Sequence, residues 1–197
     1  MKRILSTMTA TLLLAACNTT PNVVAPADQF LANIAQHCGK AYAGRIVANE
    51  PKSATPDGFD GKALIMHVRG CQNPTAEIRI PFHVGDDHSR TWVLTRTADG
   101  LRLKHDHRHK DGTPDATTMY GGDTSNSGTA NRQEFPVDAE SIATFKREGL
   151  NASLNNTWAM EVDPGRKFLY ELSRPGGRLF QVEFDLTRPV TLPPDPW

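Results

Sequence analysis

The sequence predicts a mainly β protein: an antiparallel barrel or sandwich of about eight strands, carrying two short helices. Three observations lead there. Apolar and polar residues alternate at period two, most cleanly as Ile78, Ile80, Phe82 and Val84 against Arg79, Pro81 and His83. Turn signals punctuate the alternating stretches, at Asp99-Gly100, Pro164-Gly165 and Pro175-Gly176-Gly177. The strands are half polar, which suits an antiparallel sheet with two unlike faces and not a parallel sheet buried on both.

The elements follow in order. Asp28 is placed to cap a first helix whose stripe is Phe30, Leu31, Ile34 and Ala35, with Gly39 as its stop and Cys38 in its last turn. Residues 41 to 48 read as a first strand, and a Pro- and Gly-bearing connection runs through Gly61. Leu64, Met66 and Val68 alternate with Ile65, His67 and Arg69. Pro81 has no amide to donate, so its strand is expected at an edge or at a bulge. Residues 90 to 97 and 101 to 109 form a hairpin around Asp99-Gly100. With a two-residue loop, Leu94 faces His105 and Trp92 faces His107; with a three-residue loop and a Gly bulge, Val93 faces His105.

Residues 110 to 134 are polar and rich in Gly, Thr, Asp and Asn, and read as a long loop in which Tyr120-Gly121-Gly122-Asp123 makes a tight turn. A second helix runs from a cap at Asp138 to a stop at Gly149, with Ile142 and Phe145 inward and Val137 placed to staple onto Ile142. Three strands close the chain, at 156 to 163, 166 to 173 and 178 to 186. The tail from Arg188, with four prolines, is excluded from helices and central strands.

The N-terminus has its own logic. Lys2 and Arg3 precede a short apolar run ending in Leu14, Ala15, Ala16 and Cys17. A basic start, a short greasy stretch and small residues before a cut describe a secretory signal. The last four residues resemble the lipobox of bacterial membrane lipoproteins. The resemblance covers about the first seventeen residues. It implies that the chain is cut before Cys17, whose thiol carries diacylglycerol and whose new amine is acylated. Polar Asn18, Thr19 and Thr20 follow at once, so the run is too short for a bilayer-spanning helix of about 20 apolar residues. Two or three acyl chains supply stable membrane affinity instead. Asn18, where inner-membrane lipoproteins of enterobacteria tend to carry aspartate, favours the outer membrane by the same analogy. The expected organisation is a signal peptide over 1–16, a lipidated tether over 17–27, one β-rich domain over 28–187 and a Pro-rich tail over 188–197. In shape the domain is similar to lipocalin-like barrels, without the Gly-x-Trp signature of their first strand.

Composition sets outer bounds. The chain has 22 basic and 22 acidic residues, and losing Lys2 and Arg3 with the leader leaves 20 against 22. A net charge near −2 gives no electrostatic footprint for nucleic acid. The 181 residues from Cys17 onward suffice for one domain with a substantial core. Cys38 and Cys71 remain as an even pair, expected to form a disulfide in an oxidising compartment.

One constellation carries chemistry: His105-Asp106-His107-Arg108-His109. On a strand His105, His107 and His109 share the face of Leu101 and Leu103, while Arg102, Lys104, Asp106 and Arg108 form the opposite, solvent-facing set. Imidazoles suit zinc or copper. The outer pair lies about 6.6 Å or more apart along a strand, so a metal would use two adjacent alternates plus a ligand from elsewhere. His83 and His88, with Asp86 and Asp87, supply candidates; Asp111, Asp115 and Asp123 are weaker ones. The competing reading is a polar strand end hydrogen-bonded to the loop beyond it. His-x-His followed by Arg108 and His109 departs from the metallo-β-lactamase pattern, and no Gly-x-Ser-x-Gly elbow is present.

The expected function is therefore a lipid-anchored cell-envelope lipoprotein, non-enzymatic, binding a small ligand or envelope partner at a mouth formed by Trp92, Leu94, His105 and His107. A zinc- or copper-handling lipoprotein using the histidine strand is the first alternative, and a hydrolase with an unrecognised site the second.

Overall fold

The computed structural model describes residues 24–52 and 58–197. Cys17, the leader and most of the tether lie outside the described residues.

Ten antiparallel strands form one sheet, two more than the period-two pattern predicts. They are β1 (Ala41–Glu50), β2 (Leu64–His67), β3 (Glu77–Val84), β4 (Asp87–Arg96), β5 (Leu101–His107), β6 (Tyr120–Asp123), β7 (Arg132–Pro136), β8 (Thr157–Asp163), β9 (Lys167–Arg174) and β10 (Arg178–Val190). Their order, β6-β5-β4-β3-β2-β1-β10-β9-β8-β7, is an up-and-down meander in which the first strand pairs with the last. Only β6 and β7 lack a ladder between them, so the sheet is a nearly closed barrel. The two unpredicted strands both begin in the polar segment read as loop, and β7 runs two residues past its end. Tyr120-Gly121-Gly122-Asp123 is a strand paired with β5 and not a tight turn.

The glycines there are what the seam requires. A Cβ on Gly121 would collide with the Leu103 carbonyl, and one on Gly122 with the carbonyl of Pro136. Helix α2 (Ala139–Arg147) fills the remaining gap with its N-terminus. Asp138 caps it as predicted, accepting from the Ser141 amide at 2.8 Å, and donates its own amide to the Gly121 carbonyl at 2.9 Å. The Ser141 hydroxyl accepts from the Gly121 amide at 2.8 Å and donates to its carbonyl at 3.1 Å. Side chain and helix end thus take the hydrogen bonds that a β6–β7 ladder would have made.

Helix α1 (Pro26–Ala35) crosses the other end of the barrel, burying Phe30, Leu31 and Ile34. It starts three residues earlier than expected, with Ala25 at the N-cap. Asp28 is not the cap; it sits in the first turn and accepts from Arg96 at 2.5 Å. Cys38 lies in the turn after the helix, where it bonds Cys71 as predicted. That crosslink closes a 33-residue separation and contributes about 3–4 kcal/mol in the chain-entropy picture. Asn33 donates to the Ala130 carbonyl, and the Gly165 amide donates to His37. The helix is therefore tied to the β2–β3, β4–β5, β6–β7 and β8–β9 connections, all at one end.

Three further expectations are corrected. Pro81 is not at an edge, since β3 pairs with both β2 and β4; the other expectation, a bulge in its strand, is met by the β3–β4 register shift between Phe82 and Val84. Its missing donor is tolerated because the β2–β3 ladder stops at Met66–Phe82 and resumes only at the Arg69–Arg79 bridge. The β4–β5 loop has four residues, 97 to 100, so Trp92 faces His105 and Arg90 faces His107. Face is unchanged relative to a two-residue loop, and the partners move along by two. Finally, Lys104 and Asp106 are each only 7 % exposed, not solvent-facing. Lys104 is covered by Asp138 and Glu140 of the α2 N-terminus, at 2.7 and 3.1 Å. Asp106 is covered by Arg79 and Arg108. The last strand also continues through Pro189 to Val190, three residues into the stretch read as tail, pairing there with Ala41 and Tyr42 of β1.

Candidate binding cavity

With α1 across one end, the barrel interior opens at the other. The inward residues of β3, β4, β5, β8, β9 and β10 pack in layers from the α1 end: first Leu94, Leu103, Met160 and Phe168, then Trp92, His105, Trp158 and Tyr170. Beyond them the interior is unfilled, leaving a cavity of about 340 Å³. Connections from the open end reach over it: Phe59 from β1–β2, Asp115 and Thr117 from β5–β6, Phe145, Leu150, Ser153 and Asn156 from β7–β8, and Arg174 and Arg178 at the β9–β10 turn.

The floor is aromatic. Trp92 stacks on Tyr170 at 4.4 Å between centroids and on Phe82 at 4.9 Å. His105 stacks on Tyr120 at 4.6 Å and lies 5.0 Å from Trp158. Such rings provide a large apolar surface with few rotatable bonds.

The histidines do not act as a group of three. The His105 ring lies within hydrogen-bond reach of the Tyr120 carbonyl through Nδ1, at 3.1 Å, and of the Tyr170 hydroxyl through Nε2, at 2.8 Å. A carbonyl only accepts, so Nδ1 carries the proton and Nε2 accepts from Tyr170. Both nitrogens are engaged, which leaves none for an ion. Burial pushes the His105 pKa down to about 3, with a smaller contribution from His107. His107 meets the Tyr120 hydroxyl through Nε2 at 3.1 Å; burial, then the nearby Arg90, lowers its pKa to about 4. Burial raises the Tyr120 phenol to about 12 and also lifts Tyr170 well above the usual phenol range. All four rings are neutral near pH 7.

His109 lies beyond the end of β5 and is exposed. His83 and His88 pair with each other through their Nδ1 atoms at 2.8 Å, with Trp197 of the C-terminal tail against His88. They share no hydrogen-bond partner with His105. Asp111 caps its own turn by accepting from Thr113, Asp123 pairs with Arg102, and Asp87 pairs with Arg90. Among the described residues no three His, Cys, Asp or Glu side chains converge as a metal site.

Of the residues expected at a ligand mouth, Trp92, His105 and His107 do line the cavity. Leu94 is fully buried one layer below and does not. Sequence reasoning missed Tyr120, Trp158, Tyr170, Asn156 and the arginines of the rim. Trp158 and Tyr170 were legible as inward strand positions, but nothing local marks them as facing space and not core. Compared with known proteins, the chain matches no family model, no curated protein and no solved structure.

Proposed function

We propose that this protein is a lipid-anchored lipoprotein of the bacterial cell envelope whose β-barrel domain binds a small ligand in the cavity above Trp92 and His105. The observation that carries the binding reading is the unfilled aromatic interior at the open end. Barrel interiors of well-packed proteins are closed by side chains, whereas a cleft of about 300–1,000 Å³ with aromatic walls and a few polar groups is the usual form of a ligand site. At about 340 Å³ the cavity suits a small molecule and not a two-chain lipid. Asn156, 4 % exposed, lines it with an Oδ1 that has no hydrogen-bond partner. An unpaired buried amide costs about 1–3 kcal/mol, which a ligand donor would recover.

The anchor and the outer-membrane location rest on the Leu14-Ala15-Ala16-Cys17 resemblance and on Asn18. Replacing Cys17 with Ala is expected to move the protein from the membrane fraction to the soluble envelope fraction; a variant that still sediments with membranes would remove the anchor from the proposal.

Ligand binding has an internal reporter, since Trp92 and Trp158 both line the cavity. Titration with neutral 2-naphthamide is expected to quench their emission saturably at one site per chain. Leu172→Trp, which fills the cavity from β9, is expected to abolish that binding. Linear, unsaturable quenching in the parent protein would overturn the cavity as a binding site.

A further inference from the structure

The rim of the cavity carries a charge arrangement that the barrel itself does not need. Arg174 ends β9 and Arg178 begins β10, and the two are direct cross-strand partners. Like charges placed opposite each other destabilise an antiparallel pair. Neither arginine has a carboxylate partner among the described residues. Arg174 donates from Nη1 to the Ala152 carbonyl at 2.7 Å, and its buried Nε has no partner. Arg178 donates to the Asn49 side chain at 2.7 Å and to the Glu50 carbonyl at 3.3 Å, with its guanidinium 5.6 Å from the Phe180 ring.

The same row extends one strand further. Thr157 pairs with Ser173, so the register sets Asn156 beside Arg174. Asn156, Arg174 and Arg178 thus stand side by side across three neighbouring strands, all on the cavity side. The third arginine of the lining, Arg90, is already neutralised by Asp87 at 2.5 Å. The one carboxylate of the lining, Asp115, accepts from the Thr117 amide and belongs to the His107 side.

We infer that the Asn156–Arg174–Arg178 row receives the anionic head of a ligand whose flat apolar body lies against Trp92, Trp158 and Phe180. This deepens the binding reading above and rests on it. Guanidinium forks match the geometry of a carboxylate or phosphate, and two of them facing one anion relieve their mutual repulsion. The unpartnered Arg174 Nε–H supplies a donor, and the Asn156 side chain adds a second only through its Nδ2–H, because its unpartnered Oδ1, like the anion, only accepts. Beneath the row, Trp92, Trp158 and Phe180 line the cavity along the rest of the molecule. The site thus selects a small amphipathic anion over a neutral molecule of the same shape.

The test compares 2-naphthoate with its neutral isostere 2-naphthamide, using the full chain with Cys17→Ala so that no acyl chain competes. Naphthoate is expected to bind at least about tenfold tighter, the range of one or two charge-assisted hydrogen bonds. Arg174→Gln/Arg178→Gln is expected to bring the ratio of the two affinities close to one, with an unchanged circular dichroism spectrum. Equal affinities in the parent protein would overturn the anion row while leaving the cavity as a binding site. Failure of both probes to bind would overturn the row together with the binding reading.

Discussion

Gly122→Ala is expected to cost about 3 kcal/mol or more and to lower the melting temperature by several degrees. The added Cβ would overlap the Pro136 carbonyl oxygen and crowd the Asp138 amide, both backbone atoms. A rotamer change cannot relieve a backbone clash, so β6 must retreat from β7. Its retreat also withdraws the Gly121 groups from Ser141 and Asp138 and so loosens the α2 N-terminus from the seam. Overpacking alone costs about 1–3 kcal/mol, and the displaced hydrogen bonds add about 1 kcal/mol each. Gly58→Ala is the control, because among the described residues nothing lies within 4 Å of its Cβ position. Thermal melts of the two variants check the prediction. Equal melting temperatures would mean that the seam is not held by close backbone approach.

Acid is expected to weaken the fold well before carboxylates protonate in bulk. His105 and His83 are buried, and burial lowers their pKa values from 6.5 to about 3 and about 4. The unfolded chain therefore binds protons from about pH 6.5 downward while the native state does not. A depressed native pKa makes this contribution full above the unfolded value, and it is lost as pH falls toward the native value. By pH 5 the loss is about 2 kcal/mol for each of these two histidines. His107, less completely buried, adds in the same direction. Denaturant melts at pH 7.5 and pH 5 should separate clearly, and His105→Gln should narrow the gap. A stability flat across that interval would mean that the buried rings are already protonated, or that the unfolded chain holds them equally neutral.

Much of the architecture was legible because strand alternation and turn chemistry are local. The three closing strands, the Asp138 cap, the Gly149 stop and the Cys38–Cys71 pair all follow from residues within a few positions of each other, or from cysteine parity. What was hidden depends on distant partners. β6 has two glycines and no apolar pair, so its strand character exists only through β5 and the helix that seals it. Lys104 reads as solvent-facing until the α2 N-terminus, over thirty residues away, settles on it. The histidine strand drew attention by composition alone. In the fold, His105 is a hydrogen-bonded part of the cavity floor. The charged residues of the rim, Arg174 and Arg178, flank a plain Pro-Gly-Gly turn and carry no local signature.

The pairing of β1 with β10 has a consequence for how the molecule comes into being. The strand nearest the N-terminus pairs with β2 along one edge, but its other edge is covered only when the last strand is available, so the β1–β10 ladder joins the strands of greatest sequence separation. Topologies dominated by such contacts fold slowly, in milliseconds to seconds. A chain that emerges N-terminus first would leave that second edge of β1 open until Arg178–Val190 had followed. The interval before closure is when the open edges are available to other chains. Truncation within β10 would hold the protein permanently in that open-edged state, whatever the condition of its cavity.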